Sequence, residues 1–226
     1  MPTLLLRLAA PLQSWGINSK FEYRLTERMP TKSAVVGMLA AAFGLGRDAD
    51  LSKFRALKFG VRVDREGEDI TDFHMAHENE FWKNKDSKYS HLTYRHYLSD
   101  AVFLAGFEGD YTFLKEIEQA IKNPKFPLFL GRRSCPPTLP IVLKISNSQL
   151  ENALCEELPI CENSDKMLFV QIETDGAGDR FMQDVPLSFN PKKRIYGYRK
   201  VSERFVDFDD GKNAIETEHD AMSELR

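Results

Sequence analysis

The chain has 226 residues and a mass of 25.9 kDa, enough for one large domain or a domain with appendages. Apolar residue types make up 42% and charged types 29%, which excludes a wholly disordered, collagen-like or coiled-coil chain. The formal net charge of −3 argues against binding nucleic acid with the whole surface. Residues 205–226 carry seven acidic and two basic residues, a net of −5, so residues 1–204 carry +2. We interpret 205–226 as an acidic, solvated tail on a mildly basic body.

The sequence shows no targeting or membrane segment. No apolar run approaches the ~18–20 residues of a membrane-spanning helix. The N-terminal stretch has no basic segment of the kind that precedes the apolar part of a signal peptide. The three cysteines, Cys135, Cys155 and Cys161, form no CxxC pair, which favours reduced thiols. The sequence therefore predicts a cytoplasmic protein with no membrane association.

In the first half of the chain, strands and helices are predicted to alternate. Residues 3–9 predict a buried strand, and residues 33–46 predict a helix whose lack of charge indicates burial on all sides. Residues 59–63 alternate between apolar and polar types, as a half-buried strand does. After a polar, aromatic-rich stretch over 64–98, a strand over 101–107 is expected. An amphipathic helix TFLKEIEQAIKN then ends before Pro124.

The second half is predicted to add further strands. Residues 127–137 and 138–145 predict two strands around a Gly-Arg-Arg turn, and 148–158 predicts a short helix. Late strands are expected over 167–173 and 195–201. The order in the first part of the chain matches a split βαβ, or ferredoxin-like, pattern with an arm inserted between the second and third strands. The predicted fold class is therefore α+β, with additional C-terminal strands.

Basic and hydroxyl residues cluster at turns, interleaved with aromatic rings. Binding of single-stranded RNA requires cations for phosphates, flat rings for unstacked bases and free N–H groups at helix N-termini. All three occur here, although ordinary solvated charge is an alternative interpretation. The clusters are Arg24, Arg28, Thr31, Lys32 and Ser33; Tyr94, Arg95, His96 and Tyr97; Gly131, Arg132, Arg133 and Ser134; and Lys192, Lys193, Arg194, Tyr196, Tyr198, Arg199, Lys200 and Arg204.

Histidines of the polar stretch suggest two further hypotheses. The spacing of His74, His77, His91 and His96 does not fit the usual zinc patterns, so surface histidines are favoured over a metal site. His96, beside Arg95, is the one candidate acid–base group for metal-independent RNA cleavage through the 2′-OH. The pattern of a phosphate-binding loop is absent, and we expect no cofactor and no metal.

Four motifs resemble, in order, those of the CasD family of type I-E CRISPR Cascade subunits. They are LLLRLAAPLQSWG, ERMPTKSAVVGMLAAAFGLGRD, YRHYLSDAVF and FLGRRSCPPTLPI. The resemblance implies a ferredoxin-like (RRM-like) palm of the RAMP superfamily over 1–204, with a thumb β-hairpin inserted at about 72–98. It also implies a non-catalytic, RNA-binding subunit of a multi-subunit complex for antiviral defence.

The same resemblance implies the partners. They are the 5′ handle of the guide RNA, the CasC backbone subunit, the CasA large subunit and target DNA near the protospacer-adjacent motif. Handle-binding loops would lie at the Pro-Thr-Lys-Ser segment and the Gly-Arg-Arg-Ser turn. With the clusters above, the expected RNA-binding residues are Arg28, Thr31, Lys32, Ser33, Arg95, Gly131, Arg132, Arg133, Ser134, Arg199 and Lys200.

The sequence departs from the family pattern at one position. The family usually has an acidic residue between the thumb arginine and the following Tyr-Leu, where this chain has His96. In type I-E systems a separate subunit, CasE, cleaves the repeat, so no catalytic residue is expected here. A metal-independent repeat endoribonuclease is the alternative function.

Overall fold

The computed structural model describes residues 1–16, 22–77, 90–161 and 167–208. Its strands outnumber its helices, and most of the strands lie in one sheet. In chain order the elements are β1 (Thr3–Ala9), β2 (Leu12–Gln13), β3 (Tyr23–Arg24), α1 (Lys32–Phe43), α2 (Ser52–Arg55), β4 (Lys58–Arg65), β5 (Glu68–His77), β6 (Ser90–Ser99), β7 (Val102–Glu108), α3 (Tyr111–Lys122), β8 (Val142–Ser146), α4 (Leu150–Glu156), β9 (Met167–Glu173), β10 (Arg180–Ser188) and β11 (Ile195–Asp207).

Seven strands form one sheet in the order β10-β11-β9-β4-β7-β1-β8. Every neighbouring pair in it is antiparallel. In the chain, α1 lies between β1 and β4, and α3 lies between β7 and β8. The predicted α+β class is confirmed.

Helices cover both faces of this sheet around β1. Leu4, Leu6 and Leu8 pack in the core that includes α1 and α3, whereas Leu5 and Ala9 pack in the core that includes α4. Because both faces are covered, all seven residues of β1 are buried. This explains why the strand is almost entirely apolar rather than alternating.

Local capping signals set the ends of α1. At its start, the Thr31 hydroxyl accepts a hydrogen bond from the Ala34 N–H at 3.3 Å. At its end, Gly44 adopts the left-handed conformation with φ 74° and donates its N–H to the carbonyls of Ala40 and Ala41. Both residues are types favoured at these places: threonine before the first turn of a helix and glycine after the last.

A second, smaller sheet is built around the β5–β6 hairpin. The hairpin pairs Glu68 with Ser99 at its base and His77 with Ser90 at the far end of the described ladder. β2 pairs antiparallel and β3 parallel with β6. The hairpin lies within the stretch where the sequence predicts an inserted arm; residues 78–89, in the middle of that arm, lie outside the described residues. In the described ranges no helix is long and apolar enough to cross a membrane.

The prediction of a strand over 127–137 is wrong. This segment is a compact turn in which the Leu130 N–H donates to Cys135 O at 2.7 Å and Cys135 N–H donates to Arg132 O at 2.9 Å. These local bonds replace pairing with a neighbouring strand, and the consecutive Pro136 and Pro137 have no N–H to donate to a ladder.

The predicted start of the acidic tail at residue 205 is too early. β11 continues to Asp207, and Phe205 pairs with Phe169 of β9. The Phe205 side chain stays exposed, whereas Val206 packs against the core that includes α4. Residues 209–226 lie outside the described residues.

Candidate nucleic-acid interface

The Gly-Arg-Arg-Ser turn (131–134) is anchored on the segment that follows β2. Ser14 N–H donates to Leu130 O at 3.1 Å. Gly131 has φ 90°, and a Cβ at this position would overlap the Ser14 carbonyl oxygen. Only glycine allows this backbone conformation and approach. Because position 131 requires glycine, the turn stays close to Ser14, and this sets the backbone position of Arg132 and Arg133.

Arg132 connects this turn to the base of the hairpin. Its guanidinium lies 4.6 Å from the centroid of the Tyr97 ring, a cation–π contact. Its Nη2 donates to Arg24 O at 2.6 Å. Its Nη1 is buried and has no hydrogen-bond partner within the described part of the chain. Such a charged N–H is a donor suited to an anionic oxygen.

Tyr97 and Ser134 complete this contact. The Tyr97 hydroxyl lies 3.5 Å from Ser134 Oγ. Burial raises the pKa of the Tyr97 phenol, but the contact with Ser134 and the nearby charge of Arg132 outweigh it, so the pKa lies below its ordinary value. Tyr97 thus contacts two residues of the turn, Arg132 through its ring and Ser134 through its hydroxyl.

The hairpin carries an arginine on one face and aromatic rings on the other. Arg95 Nη2 donates to His74 Nδ1 at 3.2 Å, and the buried Arg95 Nε has no partner among the described residues. The rings of Tyr23 and Tyr94 stack with centroids 5.1 Å apart and planes 9° apart. Phe73 meets Tyr94 edge-on at 5.5 Å, and more than half of the Tyr23 and Phe73 surfaces are exposed. Exposed rings of this kind can stack on unpaired bases.

His96 lies on the hairpin among polar groups. Its Nδ1 is 3.1 Å from Thr71 Oγ1 and 3.5 Å from Asp69 Oδ1. Among the described residues, no three His, Cys, Asp or Glu side chains are grouped as a metal site requires. The side chains of His77 and His91 lie outside the described part.

The prediction that the Lys32 side chain contacts RNA is wrong. Lys32 is 0% exposed, and its Nζ donates to Leu57 O at 2.6 Å and to Glu173 Oε2 at 2.8 Å. Burial lowers the pKa of Lys32, against the opposing effect of Glu173. The neighbouring Thr31 is also buried, and its hydroxyl caps α1, so its predicted contact with RNA through the side chain is wrong too.

Arg199 likewise belongs to the interior, so its predicted contact with RNA is wrong. Its Nε and Nη2 donate to the two carboxylate oxygens of Asp184 at 2.6 and 2.9 Å, with both side chains buried. Asp184 Oδ2 also accepts the backbone N–H of Lys32 at 2.8 Å. Strands β10 and β11 are thereby tied to the first turn of α1, because a buried charge is tolerated only with such partners.

The other predicted cations are accessible. Arg28 and Arg133 are exposed. Lys200 is exposed on β11, with its ammonium 5.8 Å from the centroid of the Phe181 ring on the edge strand β10. The structure therefore gathers Arg95 and Arg132 at the hairpin base, whereas Lys200 lies on the edge pair of the main sheet.

A cleft of about 430 Å³ joins Ser33, at the start of α1, to Gly131 of the turn. The sequence predicts a helix buried on all sides, but one face of α1 lines this cleft. That face carries small side chains, and their spacing at 33, 34, 37 and 41 was the signal that could have revealed it. Further lining residues that sequence reasoning missed are Phe126, Phe129, Phe189 and Arg47.

Comparison with known proteins places these features in a family. A family model described as CRISPR-associated protein (Cas_Cas5) matches residues 3–202. The chain belongs to the Cas5 family. The CRISPR system Cascade subunit CasD of Escherichia coli (strain K12) is 35% identical over 156 residues, which cover 62% of this chain and 69% of that protein.

Two solved structures are similar to this Cas5 chain over most of its length. One, described as the crystal structure of a Cas protein, is 38% identical with a TM-score of 0.74, over 91% of this chain and 95% of that one. The other belongs to a CRISPR RNA-guided surveillance complex and is 32% identical with a TM-score of 0.75, over 91% and 90%. The resemblance to the CasD family seen in the sequence is confirmed.

The four motifs that carried the resemblance meet in the folded Cas5 chain. Ser14 of the first motif bonds the backbone of the fourth at Leu130, and its hydroxyl donates to His96 O at 3.2 Å in the third. Arg132 of the fourth packs on Tyr97 of the third. The second motif forms α1 and contributes Ser33 to the cleft. The family signature is thus concentrated around the candidate interface.

Proposed function

We propose that this Cas5 chain is an RNA-binding, non-catalytic subunit of a type I-E CRISPR surveillance complex. Its ligand is the repeat-derived 5′ handle of the guide RNA. The observation that carries the proposal is that Arg132 and Arg95, each with an unpartnered buried N–H in the described structure, lie on the Tyr97 face of the β6 strand, while the Tyr23–Tyr94 stack lies on its opposite face. Cations and flat rings on the two faces of one hairpin suit a single strand whose bases are unstacked.

The architecture supports a division into palm and thumb. The unit β1-α1-β4-β7-α3-β8, with sheet order β4-β7-β1-β8, has the connectivity of a ferredoxin-like palm. The β5–β6 hairpin, inserted between the second and third palm strands, is proposed as the thumb predicted at about 72–98. The palm with its C-terminal strands extends at least to Asp207, the last residue of β11.

The mechanism is positional. A phosphate of the handle binds at Arg132 and Arg133, whose turn is held by Gly131. Arg95 on the same face of the hairpin and the stacked tyrosines on its opposite face hold further nucleotides. No covalent step is needed to hold a strand in place. Within a cytoplasmic complex, the CasC backbone, the CasA subunit and target DNA near the protospacer-adjacent motif would be neighbours, as in the CasD resemblance.

Fluorescence anisotropy with labelled handle RNA tests the binding function. The purified chain should bind the handle more tightly than a scrambled RNA of equal length and than the same sequence as a duplex. Equal affinity for all three would contradict a handle-binding role. Incubation of the chain with full repeat RNA in EDTA tests the competing endoribonuclease function, for which a discrete cleavage product is the signature.

A deletion tests the role of the hairpin. Replacing residues 74–93, the distal part of the hairpin, with a short Gly-Ser linker should weaken assembly with CasC and guide RNA. It should leave the palm folded, because Tyr97 and Leu98 of the core are kept. The measurement is co-purification of the three components alongside a thermal melt of the variant. A global loss of stability would show that the hairpin is part of the core.

A further inference from the structure

We propose that the acidic segment 209–226 docks on the arginines at the base of the β5–β6 hairpin and competes there with RNA. The segment contains six acidic and two basic residues, a net charge of −4. Carboxylates and phosphates bind the same guanidinium groups, so one surface can take either ligand. The inference rests on the proposed RNA-binding function, to which it adds an internal competitor.

Four arginines at the hairpin base, the arginine cluster, lack acidic partners. Arg24 of β3 pairs in register with Arg95 of β6, and Arg132 donates to the Arg24 carbonyl from the neighbouring turn. With Arg133, they form no ion pair with a carboxylate among the described residues. Arginines elsewhere in the fold do form one, namely Arg62, Arg180, Arg199 and Arg204. Like charges without counter-charges repel one another, so the cluster favours an anionic occupant.

Two donors within the cluster are buried and unsatisfied. Arg95 Nε and Arg132 Nη1 have no hydrogen-bond partner in the described part of the chain. Leaving a buried charged donor unpaired costs free energy, and an anionic oxygen placed there recovers it. A carboxylate of the same chain supplies such an oxygen when RNA is absent.

Strand β11 brings the acidic segment to the end of the main sheet from which the hairpin extends. Asp207 pairs with Met167 at the start of β9, and β9 pairs with β4, which ends at Arg65 just before the hairpin begins. Phe208 comes directly before the segment, and its ring centroid lies 4.9 Å from the guanidinium carbon of the buried Arg62. The segment therefore begins from a fixed point on the hairpin side of the sheet.

The length of the segment matches the distance to the cluster. Four strand spacings separate β11 from β1, whose end leads to the arginine turn through Ser14. At about 4.8 Å each they span roughly 19 Å. Glu216 and Glu224 lie 8 and 16 residues beyond Phe208. Random coils of these lengths have root-mean-square end-to-end distances of about 15–22 Å. A linker whose relaxed length equals the span gives the highest effective concentration.

The segment lies outside the part of the chain that the family model matches, which is residues 3–202. All four arginines of the cluster lie inside that part. The competitor is therefore an addition of this chain to a surface that lies within the family match.

Competition within one chain lowers the affinity for RNA by a factor set by two quantities. The factor is one plus the effective concentration of the segment divided by its dissociation constant from the cluster. An effective concentration of about 1 mM and a dissociation constant of about 0.1 mM give about tenfold. Every RNA loses the same factor, so weakly bound RNA is released at concentrations at which tightly bound RNA stays in place.

The test uses full-length variants and fluorescein-labelled RNA of the repeat segment 5′ to the guide. The neutralised variant replaces all six acids of the segment by amides: Asp209→Asn, Asp210→Asn, Glu216→Gln, Glu218→Gln, Asp220→Asn and Glu224→Gln. A smaller variant carries only Glu216→Gln and Glu218→Gln. Its matched control carries Glu116→Gln and Glu156→Gln, exposed residues of α3 and α4 whose replacement changes the net charge equally. A thermal melt of each variant establishes that it is folded.

Docking predicts a defined pattern of affinities. The neutralised variant should bind RNA about tenfold more tightly than wild type, the smaller variant by an intermediate factor, and the control as wild type does. The advantage should shrink between about 50 and about 500 mM salt, because screening weakens the ion pairs of the segment. In the Arg132→Ala, Arg133→Ala background, neutralising the segment should change the affinity about twofold or less.

Trypsin reports docking without reference to affinity. Lys212 lies between the two groups of acids in the segment, so a docked segment is protected from cleavage after it. Release of 213–226, followed by mass spectrometry, should be several-fold faster when wild type is given saturating RNA, since cleavage tracks the population of the open form. The Arg132→Ala, Arg133→Ala variant should be cleaved at the faster rate without RNA.

The outcomes separate this inference from the proposed function. Unchanged affinity in the neutralised variant, with binding still dependent on Arg132, would overturn the inference and leave the RNA-binding function in place. Tighter binding with cleavage rates that neither RNA nor the arginine substitutions alter would show that the segment only repels RNA, and would overturn docking. If no variant binds RNA, the proposed function fails, and the cleavage comparison made without RNA still decides whether the segment docks.

Discussion

Replacing Arg132 and Arg133 with alanine tests the arginine turn quantitatively. Each phosphate neutralised on a single strand contributes about −0.7 to the slope of log affinity against log salt. If both arginines contact phosphates, the double variant should have a slope shallower by about 1.4. Between 50 and 200 mM salt the wild type should then lose about sevenfold more affinity than the double variant does.

The structure predicts different effects for the two single variants. Arg132→Ala removes the hydrogen bond to Arg24 O and the contact with the Tyr97 ring, about 1–2 kcal/mol of stability together. Arg133 is exposed, so Arg133→Ala should change the free energy of unfolding by less than about 0.5 kcal/mol. Both should flatten the salt slope, but only Arg132→Ala should also lower stability.

The assay is anisotropy with handle RNA at four or more salt concentrations, paired with urea denaturation of each variant. Arg55→Ala is the control, because Arg55 is an exposed arginine of α2, outside the turn. An unchanged slope in the double variant would refute the phosphate assignment. Equal stability losses in both single variants would refute the structural account of Arg132.

Four further predictions follow from other parts of the fold. Lys32→Ala leaves the Glu173 carboxylate without its buried partner, so urea denaturation should show a loss of about 3–5 kcal/mol. Gly131→Ala places a Cβ against a backbone carbonyl at positive φ, so circular dichroism melts should show a loss of more than about 1 kcal/mol, together with weaker handle binding. The pKa of Glu118 lies below its ordinary value of 4.5 because two lysines donate to its carboxylate. The stability that these ion pairs contribute is present above pH 4.5 and is lost as pH falls through the folded pKa. Glu118→Gln should therefore lower the free energy of unfolding by about 0.3–1 kcal/mol at pH 7 and leave it unchanged in acid. Gel analysis should show repeat RNA intact with wild type and with His96→Ala; a cut made only by wild type would establish the endoribonuclease function.

Local signals were sufficient for most of the elements. Continuous apolar character predicted β1, alternation predicted the strand that includes Phe59, and an uncharged apolar run predicted α1. These signals act within one or two turns or along one strand, so the sequence contains them in full. The segment around Leu130 has the composition of a strand, but its Leu130–Cys135 hydrogen bond forms a turn that composition does not distinguish.

The chemistry of the site was only partly predictable. Arg132 was expected to face a ligand, and the fold leaves one of its N–H groups without a partner in the described structure. Lys32 was expected to do the same, but its partners Glu173 and Asp184 lie 141 and 152 residues away in the chain. A lysine at a helix start has the same local pattern whether it is solvated or buried.

The sequence by itself determined the α+β order of elements, the family, and the motifs that surround the candidate interface. Only the tertiary structure decided which cations remain accessible, because burial depends on strands that reach α1 from the other end of the chain. The cleft beside α1 also depends on the tertiary structure. Its floor is one face of α1, and its walls come from the segment around Phe126 and from the connection around Arg194. Such a surface forms only when distant segments pack together, and no local pattern encodes that packing.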